Sequence, residues 1–289
     1  MAMVVKVPTP TPDSLPLIVA GSSASIALEQ VGEMKSNQTV LVTAAAGATG
    51  QFVVQLAKLA GNHVIGTTSS KAKATHLQSI GCDRVINYNV EDVDAVLKKE
   101  YPNGVDLVFE TVGGDLLRAA VDNMAVKGRI IAFGAISGYH GNKDTFLASE
   151  LVPKLLFKSA SLRGFVSGHY QEFFHPHMQR LLKLIEEKKL VPGIDTVKFE
   201  GLESIPDAID YMYARKNMDK VVVKLACENC SILDAEPPKC YPDDMFTRAQ
   251  MVCNFFVIYG NTLLRAPQVS IGLGKNTVDG YENQRTFYD

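Results

Sequence analysis

Val40-Leu41-Val42-Thr43-Ala44-Ala45-Ala46-Gly47-Ala48-Thr49-Gly50 is the stretch whose reading decides the fold. Its first four residues form a short, β-branched apolar run suited to a buried strand. Phe52, Val53, Leu56, Ala57 and Ala60 follow at helical spacing, closed by Gly61. Between strand and helix every side chain is small. A dinucleotide pyrophosphate requires such a segment, because it needs a tight turn, a close backbone approach and the N–H groups of a helix N-terminus. Ala44, Gly47 and Gly50 occupy the three small-residue positions, with alanine where the usual fingerprint has its first glycine. A ligand-free βα turn would use the same residues.

The rhythm continues outward from this loop. Strands are expected at Val40–Thr43, His63–Thr67, Arg84–Asn87, Leu107–Glu110, Arg129–Phe133 and Ser161–Phe165, and helices at Leu17–Met34, Leu116–Met124 and Met178–Lys188. Six strands alternating with helices predict an α/β fold: a doubly wound parallel sheet, a Rossmann-type cofactor domain over residues 17–225. Pro8, Pro10 and Pro12 make residues 1–16 a linker, and residues 226–289 lose the βα rhythm and read as an irregular C-terminal appendage.

Which nicotinamide such a domain takes depends on the end of the second strand, where an acid about 20 residues beyond the glycine loop would hold a ribose 2′-hydroxyl. The chain offers Thr67, Thr68, Ser69, Ser70, Lys71 and Lys73 there and no acid. Hydroxyls and cations suit a 2′-phosphate, so NADP is the expected cofactor, although Lys71 and Lys73 would also serve as solvated charges opening a helix.

Composition closes off other classes. The 289 residues are 46% hydrophobic and 21% charged with a net charge of −2, which lacks the basic excess of a nucleic-acid binder. No apolar run approaches the roughly 18 residues of a membrane span, and no signal-peptide pattern opens the chain, so no membrane partner and an intracellular compartment are expected. Cys227, Cys230, Cys240 and Cys253 lack a second C-x-x-C, so they read as thiols and no metal site is assigned. Pro176 interrupts the spacing of His175 and His177, which with His169 read as surface or loop residues.

Several motifs lie in the order found in one family. Ala44-Ala45-Ala46-Gly47-Ala48-Thr49-Gly50-Gln51, Gly81-Cys82-Asp83-Arg84-Val85-Ile86-Asn87-Tyr88 and Gly104 through Gly114 are followed by Gly128-Arg129-Ile130-Ile131 and Ile136-Ser137-Gly138-Tyr139. From Val40 to Lys224 the chain resembles the cofactor domain of the zinc-independent medium-chain dehydrogenase/reductase superfamily, in its quinone and enone reductase branch. The resemblance implies that Thr49 contacts the pyrophosphate and that Ser69, Lys73 and Tyr88 surround the 2′-phosphate. It also implies that Thr111, Phe133 and Tyr139 line the path to the nicotinamide, that Gly164, Phe165 and Val166 cover that ring, and that Asn217 closes over the cofactor. Phe133 and Phe165 are equally readable as core, Tyr88 as a half-buried strand residue and Asn217 as a helix terminator.

The implied activity is NADPH-dependent reduction of an α,β-unsaturated ketone, such as an enone or lipid-derived ketone, with Tyr139 as the candidate donor to the developing oxyanion or, alternatively, a ribose contact. The alternative is a binding or dimerisation module without turnover, because members of the family begin with a catalytic domain that this chain enters only at its last connecting segment. Thr196–Phe199 and Lys220–Lys224, which in the family return toward that domain, are expected to lack partners here and to favour a homodimer. The resemblance implies peroxisomal relatives with a terminal serine-lysine-leucine address, whereas this chain ends Arg285-Thr286-Phe287-Tyr288-Asp289, so a cytoplasmic location is expected, with the peroxisome as the family-based alternative.

Overall fold

The computed structural model describes residues 12–138 and 148–224, together with the backbone of 258–259. Six strands form one sheet: β1 (Thr39–Val42), β2 (His63–Thr68), β3 (Arg84–Asn87), β4 (Val105–Glu110), β5 (Met124–Ala132) and β6 (Ser161–Gly164). Their order is β3-β2-β1-β4-β5-β6 and every neighbouring pair is parallel. This is the doubly wound α/β sheet expected from the sequence.

Both faces of the sheet are covered, which explains why its strands are apolar throughout and not alternating. Val40, Val42, Val64, Leu107, Phe109 and Ile131 face one core with α1 (Ser22–Ile26) and α2 (Gly50–Leu59), while Leu41, Ile65, Ile86, Val108 and Ile130 face the other. The second core is closed by α4 (Val93–Glu100) and α5 (Gly114–Asp122), with α3 (Lys71–Ser79) following β2. The expected helix Leu17–Met34 is a continuous helical segment in which α1 is flanked by π turns at Leu17–Gly21 and Ala27–Val31.

Three expectations are corrected. Met124, assigned to the end of a helix, instead opens β5, which starts five residues before Arg129. The apolar run is interrupted there by a register shift opposite Val105 and Leu107 and by Lys127 at φ 64.

The helix placed at Met178–Lys188 starts earlier: α7 covers Gln171–Glu186 and runs through Pro176. Pro176 and Glu172 lie on its exposed side, where water can take the carbonyl that proline leaves without a donor. His177 is therefore buried on the inner face, with Nδ1 2.7 Å from Ser25 Oγ, and burial lowers its pKa. It is not a surface or loop residue, whereas His169 and His175 are exposed.

The two late strands also find partners. β7 (Phe199–Glu200) pairs in parallel with β8 (Val223–Lys224), and β8 with β9 (Ile258–Tyr259), so residues beyond 225 supply the third strand of a small sheet. Helix α6 (Ala148–Lys158) precedes β6, and α8 (Ile205–Tyr213) lies between β7 and β8.

Candidate functional site

In a doubly wound sheet the strand order reverses between β1 and β4, and a crevice opens beyond their carboxyl ends. A cavity of about 970 Å³ lies at this position. Its floor is the glycine loop. Ala44 turns the chain out of β1 at φ 46, a left-handed conformation that explains the usual glycine preference at this position. The Ala45 N–H donates to Thr67 O at 3.1 Å and the Gly47 N–H to Ala44 O at 2.9 Å, folding the loop back on itself. At Gly50 a Cβ would lie 2.5 Å from Ala45 O and 2.6 Å from Ala44 O, so only glycine lets α2 begin this close to the turn. The α2 N-terminus has no side-chain cap; the Gln51 N–H donates to Gly47 O at 3.1 Å and the Phe52 and Val53 N–H groups to Thr49 O at 3.0 and 3.2 Å.

The opposite wall is held by a buried carboxylate. Glu110, 2% exposed at the end of β4, accepts from the backbone N–H of Val112 and of Gly113 at 3.0 Å and from Thr43 Oγ1 at 3.2 Å. These bonds fix the turn into α5, in which Gly113 and Gly114 adopt φ 82 and 56. Glu110 shapes the cavity through the backbone.

A third wall comes from the chain after α7. Gln51 pairs with Gly193 through N–H···O bonds of 2.8 and 2.7 Å, and Gln55 with Val191 through 3.0 and 2.8 Å, so two side chains of α2 act like strand backbone. The Asp219 N–H donates to Ala46 O at 2.8 Å. The Asp219 carboxylate meets His76 Nε2 at 2.9 Å, and this hydrogen bond raises the His76 pKa against its partial burial. Lys73 Nζ donates to Arg215 O at 2.8 Å. Burial pushes the Lys73 ammonium down, as does the charge of Arg215, against the pull of Asp195. Lys220, also lining the cavity, is pushed down to about 8 by burial.

Ala44, Gly47, Thr49, Gly50, Ser69, Lys73, Tyr88, Thr111, Phe133 and Asn217 all line this cavity. Gly164, Phe165 and Val166 are not among its lining residues. Phe165 is buried and stacks on Phe133 at 5.3 Å and on Tyr170 at 5.2 Å, while Val166 is 59% exposed. Lys71 is exposed and outside the lining, so of the two lysines only Lys73 reaches the cavity. Tyr139 and the four late cysteines lie outside the described residues. Among the described residues no cluster of His, Cys, Asp or Glu could hold a metal ion, and no helix is long and apolar enough to cross a membrane.

Sequence reasoning gave no site role to Arg215, Asp219 and Lys220 and named Thr68 only as one of a run of hydroxyls, yet all four line the cavity. Thr68 lay within the hydroxyl-rich run already noticed. Nothing local marks the other three.

Residues 48–187 match the zinc-binding dehydrogenase family. Prostaglandin reductase-3 of Mus musculus is 49% identical over 232 residues, 78% of this chain and 62% of that protein. Prostaglandin reductase 1 of Bos taurus is 36% identical over 223 residues, 74% of this chain and 67% of the relative. The chain belongs to the medium-chain dehydrogenase/reductase superfamily. It falls in the quinone and enone reductase branch. Among solved structures, CurA from Vibrio vulnificus in complex with NADPH superposes with a TM-score of 0.66 at 29% identity, covering 75% of this chain and 65% of CurA. This member of the superfamily thus spans about three-fifths of the mouse relative's length.

Proposed function

We propose that the cavity binds NADPH and that the chain carries the cofactor-binding part of a reductase acting on the carbon–carbon double bond of α,β-unsaturated ketones. The observation that carries the cofactor reading is the composition of the cavity wall after β2. Thr68, Ser69 and Lys73 line it where an NAD-selective domain would place an acid. Two features fit the group sterically and chemically. The backbone around Gly50 leaves no room for a side chain, and Thr68 Oγ1 is buried without a hydrogen-bond partner in the protein.

When bound, the dihydronicotinamide supplies the hydride that reduces the enone β-carbon. The chain's own contribution is placement. The small-residue turn Gly47–Gly50 at the start of α2 receives the pyrophosphate, Ser69, Lys73 and Tyr88 hold the adenosine end, and Thr111 and Phe133 flank the path toward the sheet's carboxyl edge. Asn217 sits on the third wall, its Nδ2 donating to Asp219 O at 3.4 Å, where it would close over the ligand. Tyr139 is the proposed donor to the oxygen that gains charge as the enone is reduced. The relatives named as prostaglandin reductases support a small-molecule enone or lipid-derived ketone as substrate.

A homodimer is part of the proposal, supported by Val152, Leu156 and Phe157 of α6, which expose 59, 70 and 85% of their surface on one helix. A fluorescence titration with NADPH, followed by NADPH oxidation with a small enone, tests the reading. Binding with enone-dependent oxidation supports the reductase. Binding without oxidation would instead identify a cofactor-binding module, and absence of binding would refute both.

A further inference from the structure

Asp219 fastens the third wall to the rest of the site. Its backbone N–H donates to Ala46 O at 2.8 Å and the residue forms a parallel bridge opposite Gly47, so it sits directly on the glycine loop. Its backbone adopts φ 64, and its carboxylate fills the space that a Cβ at Gly193 would need. The residue is only 5% exposed, yet it lines the cavity and is the acid that the segment after α8 contributes to it.

A buried carboxylate is costly unless a partner offsets its charge. Among the described residues the Asp219 carboxylate has one side-chain partner, His76 Nε2 at 2.9 Å. His76 lies on α3, the helix that brings Lys73 to the cavity, and does not itself line it. The contact therefore ties two walls together from behind. Asp219 also governs the imidazole: its hydrogen bond raises the His76 pKa, burial lowers it, and the carboxylate charge raises it again. Lys71 and Lys73 on α3, Asp195, and Arg215 and Lys220 on the third wall do not shift it.

A dinucleotide brings several negative charges into a cavity whose third wall holds this carboxylate. With His76 protonated the pair is neutral overall. Once that proton leaves, a neutral Nε2–H can keep the hydrogen bond, but the carboxylate charge is no longer offset and repels the ligand.

We infer that His76 is a positioning residue for the cofactor cavity: without touching the ligand, it holds α3 to the third wall through Asp219 and offsets that carboxylate, so that dinucleotide affinity falls as the imidazole loses its proton. The inference rests on the NADPH reading above and adds to it a control by pH that lies outside the ligand contacts.

The test uses the full chain and measures dissociation constants for NADPH and NADH by nicotinamide fluorescence from about pH 6 to about pH 9, a range that spans an imidazole whose pKa is raised. A phosphomonoester gains charge through its own second pKa near about 6, so variants are compared with the unmodified chain for the same ligand at the same pH, where the ligand's titration cancels. His76→Gln keeps an amide donor and removes the charge. At the acidic end it should bind both nucleotides about fivefold more weakly than the unmodified chain, and the difference should narrow as pH rises. Asp219→Asn keeps a residue that tolerates positive φ and removes the carboxylate. It should flatten the pH dependence of this ratio, and adding His76→Gln to it should cause no further acid-side loss. Melting temperatures check both folds, and Asp219→Asn carries the test alone if His76→Gln does not fold.

If NADPH binds and the three pH profiles run parallel, or if the loss in His76→Gln is the same at every pH, the role given to His76 is wrong while the NADPH reading stands. If the unmodified chain fails to bind NADPH at any pH, both fall.

Discussion

The tightest geometric constraint in the site is at Gly50, and replacing it with alanine makes a prediction whose sign is not obvious. Alanine is the better helix former by about 1 kcal/mol in a helix interior, and less at a first-turn position such as this. Propensity alone therefore predicts a small gain. The structure predicts a loss, because the new methyl would lie 2.5 Å from Ala45 O and 2.6 Å from Ala44 O. That is about 0.9 Å short of ordinary contact, and both obstacles are backbone atoms of the loop. Neither can rotate away. Relief requires α2 to withdraw from the turn, which also disturbs Phe52 and Val53, both fully buried beneath the sheet. Overpacking of this kind costs about 1–3 kcal/mol, so a net destabilisation of roughly 1–2 kcal/mol is expected in urea unfolding.

Binding should suffer more than stability, since the displaced turn, Gly47–Gly50, is the one proposed to receive the pyrophosphate. Gly47→Ala serves as the graded control, as its Cβ would meet Ala44 O at 3.2 Å and only a small shift is needed. Gly50→Ala with unchanged urea midpoint and unchanged NADPH affinity would refute the packing argument. An equal loss in both variants would show that the distances do not rank the positions.

Further outcomes follow from the same geometry. Ala44→Gly removes a left-handed alanine and should stabilise the chain by about 0.5–1 kcal/mol, read as a raised thermal midpoint; a lowered midpoint would contradict the strain. His76 has its pKa raised by Asp219, so its contribution is complete below the unfolded value near 6.5 and fades as pH rises through the folded value. Unfolding midpoints should therefore fall from mildly acidic toward alkaline pH more in the unmodified chain than in His76→Gln, and parallel pH profiles would sink the pairing. Tyr139→Phe should abolish enone-dependent NADPH oxidation while leaving NADPH affinity intact, and undiminished turnover would remove the proposed donor.

Much of the sheet was legible because a strand buried on both faces has to be a continuous apolar run, and Val40–Val42, Val64–Ile65 and Leu107–Phe109 have no other role to play. Boundaries failed where the backbone departs from regularity. Lys127 at φ 64 breaks the regular backbone within β5, so its first residue, Met124, read as the end of a helix.

Pro176 misled in the opposite direction. A proline on the exposed side of α7 removes one donor and leaves the inner face intact, and that face is where His177 meets Ser25. The loop and the β2 end were readable because the residues that form them are contiguous. Arg215, Asp219 and Lys220 reach the cavity only because Gln51 and Gln55 hold the chain around Val191 and Gly193, and Ala46 holds Asp219, against the start of α2. Such long-range placement leaves no local pattern to read. Phe165 shows a related limit: a strand-end aromatic is compatible with core or cofactor, and here it is buried and stacked between Phe133, which lines the cavity, and Tyr170.

The central claim is that the wall after β2 selects a 2′-phosphate, and parallel fluorescence titrations of the unmodified chain and Lys73→Ala with NADPH and NADH test it most directly. A charge-assisted hydrogen bond of roughly 1.5–3 kcal/mol predicts NADPH binding about ten- to a hundredfold tighter than NADH, with most of that ratio lost in Lys73→Ala and NADH affinity unchanged. Equal affinities for the two nucleotides in the unmodified chain would contradict it.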